Sequence, residues 1–172
     1  MLLIARPAPT EYAPYYGRYV DLVGDDLLGD LRRNGEATHR LLGTLPESRG
    51  DFRYAPGKWS VKEVLGHVVD GERVFAYRAL RFARRDETPV PGFDQDAWVP
   101  GGDFGARTLR SLLDEHHAVR AASLALFENL PEEAWDRVGT ANDLKISVRA
   151  LAFAIAGHEA HHQRILREQY LE

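Results

Sequence analysis

Apolar residues recur at intervals of three and four through four long segments of this 172-residue chain, and breaks rich in Pro and Gly separate the segments. That interval is the period of an α-helix that buries one face. The segments cover residues 25–42, 60–84, 107–130 and 147–170. Four amphipathic helices of this length bury their apolar faces most simply against one another. The sequence therefore predicts an all-α fold, a four-helix bundle that occupies residues 1–172 as a single domain.

The second segment carries an explicit helix start, because Ser60 and Glu63 stand at the Ser-x-x-Glu spacing of a capping box. A long connection rich in Pro and Gly, residues 86–105, joins the second and third helices, and we expect it to cover one end of the bundle as a lid. Residues 139–145 are predicted to form a loop. The tyrosine-rich residues 12–19 are expected to pack on the bundle or at a subunit contact.

Charge and composition exclude several classes of protein. The net charge of -4 argues against a nucleic-acid partner, which normally needs a clustered positive field. The chain has no cysteine, so disulfides and thiolate metal ligands are excluded, and any metal must be bound by His, Asp or Glu. The apolar start, residues 2–5, is too short for a signal peptide, and no apolar run is long enough to cross a membrane. We therefore expect a cytoplasmic protein that does not bind membranes.

The richest group of reactive side chains lies on the last predicted helix, in the run Gly-His-Glu-Ala-His-His that covers residues 157–162. His158 and His162 stand one turn apart, so both project from the same side. At 100° per residue, these two histidines and Glu159 lie within about 60° of the centre of the apolar stripe. Burying three such groups without partners is costly, whereas a divalent cation accepts imidazole nitrogens as ligands. The pattern therefore predicts a metal site.

Two ligands hold a metal poorly, and His67 on the second helix is the best candidate for a third. It lies about 90° from the apolar centre of that helix, where it can face a cavity between helices. Residues 158–162 also fit the His-Glu-x-x-His signature of zinc peptidases, in which the Glu serves as general base. Only ten residues follow His162, which leaves no room for the downstream ligands of the extended peptidase motif. A metallopeptidase is therefore the less favoured alternative.

His116 and Arg120 are weighed together because they lie one turn apart on the third helix. His116 falls within the apolar stripe, and its simplest interpretation is a hydrogen-bonded core histidine. The alternative makes His116 a group that supports the metal site or transfers protons. Arg120, nearer the edge of the stripe, would then bind a substrate carboxylate or pair with Glu159.

Three stretches of the chain together resemble the DinB/YfiT-like superfamily of small metal-binding four-helix bundles, which is distinct from the DNA polymerase that shares the DinB label. They are residues 58–67, which read KWSVKEVLGH, residues 93–98, which read FDQDAW, and residues 158–162, which read HEAHH. The resemblance covers most of the chain. It implies one divalent metal ion, commonly zinc or nickel, held by His67, His158 and His162. Members of the family often have Gln three residues after the last histidine, where this chain has Ile165.

The resemblance also bears on function. Related proteins include thiol-dependent enzymes, among them bacillithiol S-transferases and mycothiol-dependent isomerases, and proteins described as metal-dependent hydrolases; dimers are frequent. We therefore expect a metal-dependent hydrolase or thiol S-transferase that acts on a small molecule, with a low-molecular-weight thiol as one candidate, and a homodimer. Glu159 is the candidate general base or supporting group. The alternative is a non-catalytic metal-binding or stress-associated bundle in which the histidines stabilise the fold or the dimer.

Overall fold

The computed structural model describes residues 4–171, so Leu2 and Leu3 of the apolar start lie outside it. Within these residues the chain forms six α-helices and one two-stranded hairpin. In chain order the helices are α1 (Gly17–Val20), α2 (Leu27–Leu42), α3 (Val61–Ala83), α4 (Gln95–Gly101), α5 (Leu109–Glu128) and α6 (Val148–Ile165). A π-helical turn, Leu166–Leu171, extends α6, and single 3-10 turns lie at Pro9–Glu11, Pro14–Tyr16, Glu47–Arg49, Phe104–Ala106 and Glu132–Ala134.

The four long helices, α2, α3, α5 and α6, are the four segments that the sequence predicts. Helix α3 packs against α5 and α6, and α2 packs against the same two helices, which places α2 and α3 at opposite corners of the bundle. The short α1 packs on α6. The four-helix bundle is therefore confirmed. In the part of the chain that the structure describes, no helix combines the length and apolar character that crossing a bilayer requires.

Local signals set the start of each long helix. The predicted capping box is confirmed: the Ser60 hydroxyl accepts from the Glu63 amide at 3.2 Å, and the Glu63 carboxylate accepts from the Ser60 amide at 2.6 Å. Three side chains cap the other long helices by accepting a backbone amide proton three residues on; they are Asp26, Thr108 and Ser147. These caps satisfy amide groups that a helix start otherwise leaves without a partner.

Two connections differ from the prediction. The stretch 86–105 contains the short helix α4, which Asp94 caps by accepting from the amides of Asp96 and Ala97. Residues 139–145, predicted as a loop, belong instead to an antiparallel hairpin of β1 (Val138–Ala141) and β2 (Leu144–Ser147). Asn142 and Asp143 both have positive φ at its two-residue turn, a conformation that Asn and Asp adopt more readily than most residues.

A layer of buried polar side chains divides the core of the bundle into two apolar clusters. One cluster contains Leu31, Phe75, Phe127 and Ile155, and the other contains Leu42, Leu65, Leu112 and Leu166. Helices α2, α3 and α5 thus contribute to both, and α6 contributes to the second through the π-helical turn that extends it. Between these positions every long helix carries buried polar residues: Thr38 on α2, His67 and Glu72 on α3, His116 and Arg120 on α5, and His158, Glu159 and Gln163 on α6. This polar layer contains the candidate site.

Candidate metal centre

Glycines on α3 and α6 make room for the histidines at the centre of the polar layer. A Cβ on Gly71 would stand 3.1 Å from Cε1 of His158, so the absence of a side chain there lets the imidazole lie against α3. A Cβ on Gly157 would stand 2.0 Å from the carbonyl oxygen of Tyr19. Gly157 therefore allows α1 to approach α6 closely, and the Tyr19 ring packs edge-on to His158 with 5.3 Å between centroids.

Three histidines converge at this point. The Nε2 atom of His158 lies 2.9 Å from Nε2 of His67 and 3.1 Å from Nε2 of His162. The three rings offer ligand atoms that all lie within 4.8 Å of one another, and within residues 4–171 they are the one group of three or more His, Asp or Glu side chains close enough to share an ion. The structure thus brings together His67, His158 and His162, which the sequence analysis selected as metal ligands from two distant segments.

Burial keeps these imidazoles neutral. It lowers the pKa of His67 to about 4 and that of His162 to about 3, and it lowers the pKa of His158 well below its usual range. At neutral pH each ring therefore has one nitrogen with a free lone pair, the form in which histidine binds metals. An imidazole nitrogen offers one proton or one lone pair, so His158 Nε2 cannot satisfy both neighbours by hydrogen bonds. One divalent cation can accept lone pairs from all three, and the donor set fits it.

A cavity of about 360 Å³ opens beside His67 and His158. Its other lining residues come from the start of the chain, from α3 and from the segment that leads into α4; they are Tyr15, Arg18, Tyr19, Gly71, Phe75, Phe93, Asp94 and Gln95. The predicted covering segment thus contributes one wall of the cavity. A ligand in the cavity would have direct access to two of the three histidines.

Glu159 lies in the same buried layer but is held by other partners. Its carboxylate accepts hydrogen bonds from the Thr38 hydroxyl at 2.5 Å and from Arg120 Nη2 at 2.6 Å, and it lies 2.9 Å from His116 Nε2. Burial alone would raise the pKa of Glu159, but Arg120, His116 and Thr38 lower it to about 2. Glu159 is therefore ionised at neutral pH, and both of its oxygens have partners.

Arg120 is central to this network. It donates to both oxygens of Glu72 at 2.8 and 2.9 Å as well as to Glu159, and it also donates to the carbonyl of Leu31. Of the two alternatives for Arg120, the structure shows the contact with Glu159. Arg120 is buried and does not line the cavity beside the histidines; with His116 it lines a separate cavity of about 260 Å³ between α2 and α5.

Some members of the layer gave no signal in the sequence. Glu72 has the spacing of an ordinary helix residue, and Thr38 lies in a polar stretch of α2. Gln163 donates to the carbonyl of Asn34 at 2.7 Å and to the Thr38 hydroxyl at 2.9 Å, so it joins α6 to α2. A count of charged residues on the buried stripes of all four helices together would have brought out Glu72, because buried charges need partners. Thr38 and Gln163 carry no charge, so such a count would not have found them.

Comparisons with known proteins identify relatives of this chain. The profile of the DinB superfamily matches residues 30–166. A protein of Oceanobacillus iheyensis, named "Putative metal-dependent hydrolase", is 31% identical over 146 residues, which cover 80% of this chain and 82% of that protein. A protein of Bacillus licheniformis with the same name is 31% identical over 145 residues, which cover 78% of each chain.

A solved structure shares the fold. It is YfiT from Bacillus subtilis, described as "a probable metal-dependent hydrolase with an unusual four-helix bundle topology", with a TM-score of 0.77 and 20% sequence identity. The superposition covers 96% of this chain and 93% of YfiT. Since the superfamily profile spans most of the chain and two relatives exceed 30% identity over most of its length, the chain belongs to the DinB superfamily.

Proposed function

We propose that this protein is a divalent-metal-dependent hydrolase that acts on a small molecule, with zinc or nickel bound by His67, His158 and His162. The observation that carries the proposal is the convergence of three neutral imidazoles, two of which, His67 and His158, line a cavity of about 360 Å³. Imidazole ligands without thiolates suit zinc and nickel. Three protein ligands also leave coordination positions for water or substrate, as in catalytic rather than structural sites.

A metal bound here would supply an activated water and polarise a substrate carbonyl or similar group. The residues of the chain prepare the site for this chemistry. Tyr19 and Phe75 pack edge-on to His158, with ring centroids 5.3 and 6.0 Å away, and exclude bulk water from that ligand. The cavity orients a substrate between these aromatic rings and the histidines.

Glu159 is the residue next to His158, and we propose that it positions α6 rather than acting as general base. Its carboxylate is already bound by Thr38, Arg120 and His116, and its lowered pKa makes it a poor proton acceptor. This arrangement also disfavours the metallopeptidase alternative, in which the Glu must face the metal-bound water. A small-molecule substrate suits the size of the cavity better than a polypeptide.

Metal content is the first test. Protein purified from medium supplemented with zinc and nickel is expected to hold about one equivalent of metal per chain, and His158→Ala is expected to lose most of it. His117→Ala, which removes an exposed histidine of α5, is the matched control and should keep the metal. Equal metal content in all three proteins would refute ligation by His158.

Activity is the second test. The metal-loaded protein is expected to hydrolyse simple esters or amides, and the metal-free protein and His158→Ala are not. A parallel assay combines a low-molecular-weight thiol with an electrophile. Activity in that assay alone would replace hydrolysis by thiol S-transfer, and inactivity in both assays despite bound metal would favour a non-catalytic metal-binding bundle.

A further inference from the structure

Arg78 is buried on α3 without a carboxylate partner. Its side chain is only 2% exposed; Nη2 donates to the carbonyl of Pro91 at 2.9 Å, and Nε has no hydrogen-bond partner within residues 4–171. The other fully buried arginine, Arg120, binds two carboxylates. A buried guanidinium without a counter-charge is costly. Arg78 therefore presents a positive charge that the described part of the chain leaves uncompensated.

This charge lies beside the cavity next to the histidines. The Cζ atom of Arg78 stands 5.9 Å from the centre of the Phe93 ring, and Phe93 lines the cavity. Arg78 also follows His67, Gly71 and Phe75 at helical spacing, on the face of α3 that forms the cavity wall. Because side chains on a helix lean towards its N-terminus, Arg78 leans towards the end that carries His67.

A second arginine, Arg18, lines the same cavity. Its guanidinium donates to the hydroxyl of Tyr19 at 2.9 Å and lies 4.7 Å from the centre of that ring, which fixes the charge near His158. It also lies 5.9 Å from the Tyr15 ring. Asp94 is the one carboxylate among the lining residues, and its Oδ1 is already occupied by the amides of α4. The cavity thus has aromatic walls and one arginine, Arg18, in its lining, and the other arginine, Arg78, lies next to its Phe93 wall.

We propose that Arg78 and Arg18 form an anion subsite that selects small molecules with a carboxylate group, held so that the opposite end of the molecule reaches the histidines. The aromatic rings of Tyr15, Phe75 and Phe93 would pack against the body of such a molecule. Guanidinium groups bind carboxylates through paired, charge-assisted hydrogen bonds, which give orientation as well as affinity. The inference rests on the proposed function only for the position of the reacting group.

The test uses two probes that differ only in charge, 4-mercaptobenzoate and its neutral analogue 4-mercaptobenzamide. Each is titrated into cobalt-loaded protein, and thiol binding is followed by the visible absorption of the metal. The unaltered protein is expected to bind the benzoate at least about tenfold more tightly than the benzamide. Arg78→Gln and Arg18→Gln are each expected to reduce that preference at least threefold. Arg84→Gln, which removes an exposed charge at the end of the same helix, is the matched control and should keep it.

Equal affinity for the two probes, or a preference that persists in both cavity variants, would overturn the subsite. If Arg78→Gln does not fold, Arg18→Gln decides the outcome, since Arg18 is exposed and outside the core. A second measurement does not depend on the metal: benzoate is expected to raise the melting temperature of the metal-free protein more than benzamide does, and this difference should vanish in the cavity variants. Absence of the difference overturns the subsite, whereas failure to bind cobalt overturns only the proposed function.

Discussion

Replacing Arg120 by Met tests whether the polar layer is held together by one buried cation. The substitution keeps the length of the side chain but leaves the carboxylates of Glu72 and Glu159 in the core without their guanidinium, and these two residues are only 2% and 1% exposed. Breaking a buried ion pair by removing one partner costs about 3–5 kcal/mol. Because Arg120 serves two carboxylates, we expect Arg120→Met to lower the free energy of unfolding by about 4 kcal/mol at pH 7.

The assay is urea unfolding of the metal-free protein, followed by far-UV circular dichroism. Arg110→Met is the matched control on the same helix: its ion pair with Asp114 is at the surface, with side chains 83% and 58% exposed, and such pairs contribute at most about 0.5 kcal/mol. The double variant Arg120→Met with Glu72→Met should recover part of the loss, because it removes one of the orphaned charges. A decrease of less than about 1 kcal/mol in the free energy of unfolding of Arg120→Met would refute the reasoning, since two buried carboxylates that lose their guanidinium partner should destabilise the fold by more than that.

Three further predictions follow from the site. Gly157→Ala should lower the free energy of unfolding by about 1–3 kcal/mol and weaken metal binding, because the added Cβ would stand 2.0 Å from the Tyr19 carbonyl oxygen. Gly17→Ala is the control: no atom lies within 4 Å of its added Cβ, so it should change neither urea unfolding nor metal titration. The pKa of His67 is about 6.5 in the unfolded chain and about 4 in the folded protein, so the unfolded chain binds the proton first as the pH falls. His67 should therefore lower the free energy of unfolding of the metal-free protein by up to about 3 kcal/mol between pH 6.5 and pH 4. A constant melting temperature across that range would contradict this prediction. A chelator should lower the melting temperature of the metal-loaded protein but leave that of His158→Ala unchanged, and an equal effect on both would place the ion elsewhere.

The sequence was sufficient for the bundle and the three histidines because both depend on local spacing. Apolar residues at intervals of three and four define α3 and α6 whatever they pack against, and the Ser60 capping box places His67 two turns into α3. His158 and His162 could be paired because residues four positions apart lie on the same side of a helix. Convergence of the three could be expected because each lies on or beside a buried face.

The register of α5 shows where local spacing was insufficient. Val119 and Leu126 continue the apolar spacing of α5 but are only partly buried, while Arg120 and Phe127 lie in the core. The burial of Arg120 follows from charge: Glu72 on α3 and Glu159 on α6 both pair with its guanidinium. These ion pairs involve three helices at once, so the periodicity of α5 alone could not reveal them.

The sequence also did not indicate the hairpin or the wall of the cavity, because both depend on contacts between distant segments of the chain. Gly139 lies against Phe82, where a Cβ would stand 2.1 Å from the ring, so β1 is held by a close tertiary approach that the short polar sequence did not indicate. The segment before α4 bonds to Arg78 through the Pro91 carbonyl and lines the cavity through Phe93.

The two buried arginines, Arg78 and Arg120, differ in their partners. This difference connects the stability of the fold to the chemistry of the site. Arg120, on α5, forms ion pairs with Glu72 on α3 and Glu159 on α6. These ion pairs hold the three helices together beside the histidines. Arg78, on the same face of α3 as His67, contacts the Pro91 carbonyl and the Phe93 ring but no carboxylate within the described residues. Stability alone would favour an apolar residue at position 78, because a buried charge without a partner lowers it. An anionic ligand that enters from solvent would supply the missing counter-charge, which is why we assign Arg78 to the anion subsite.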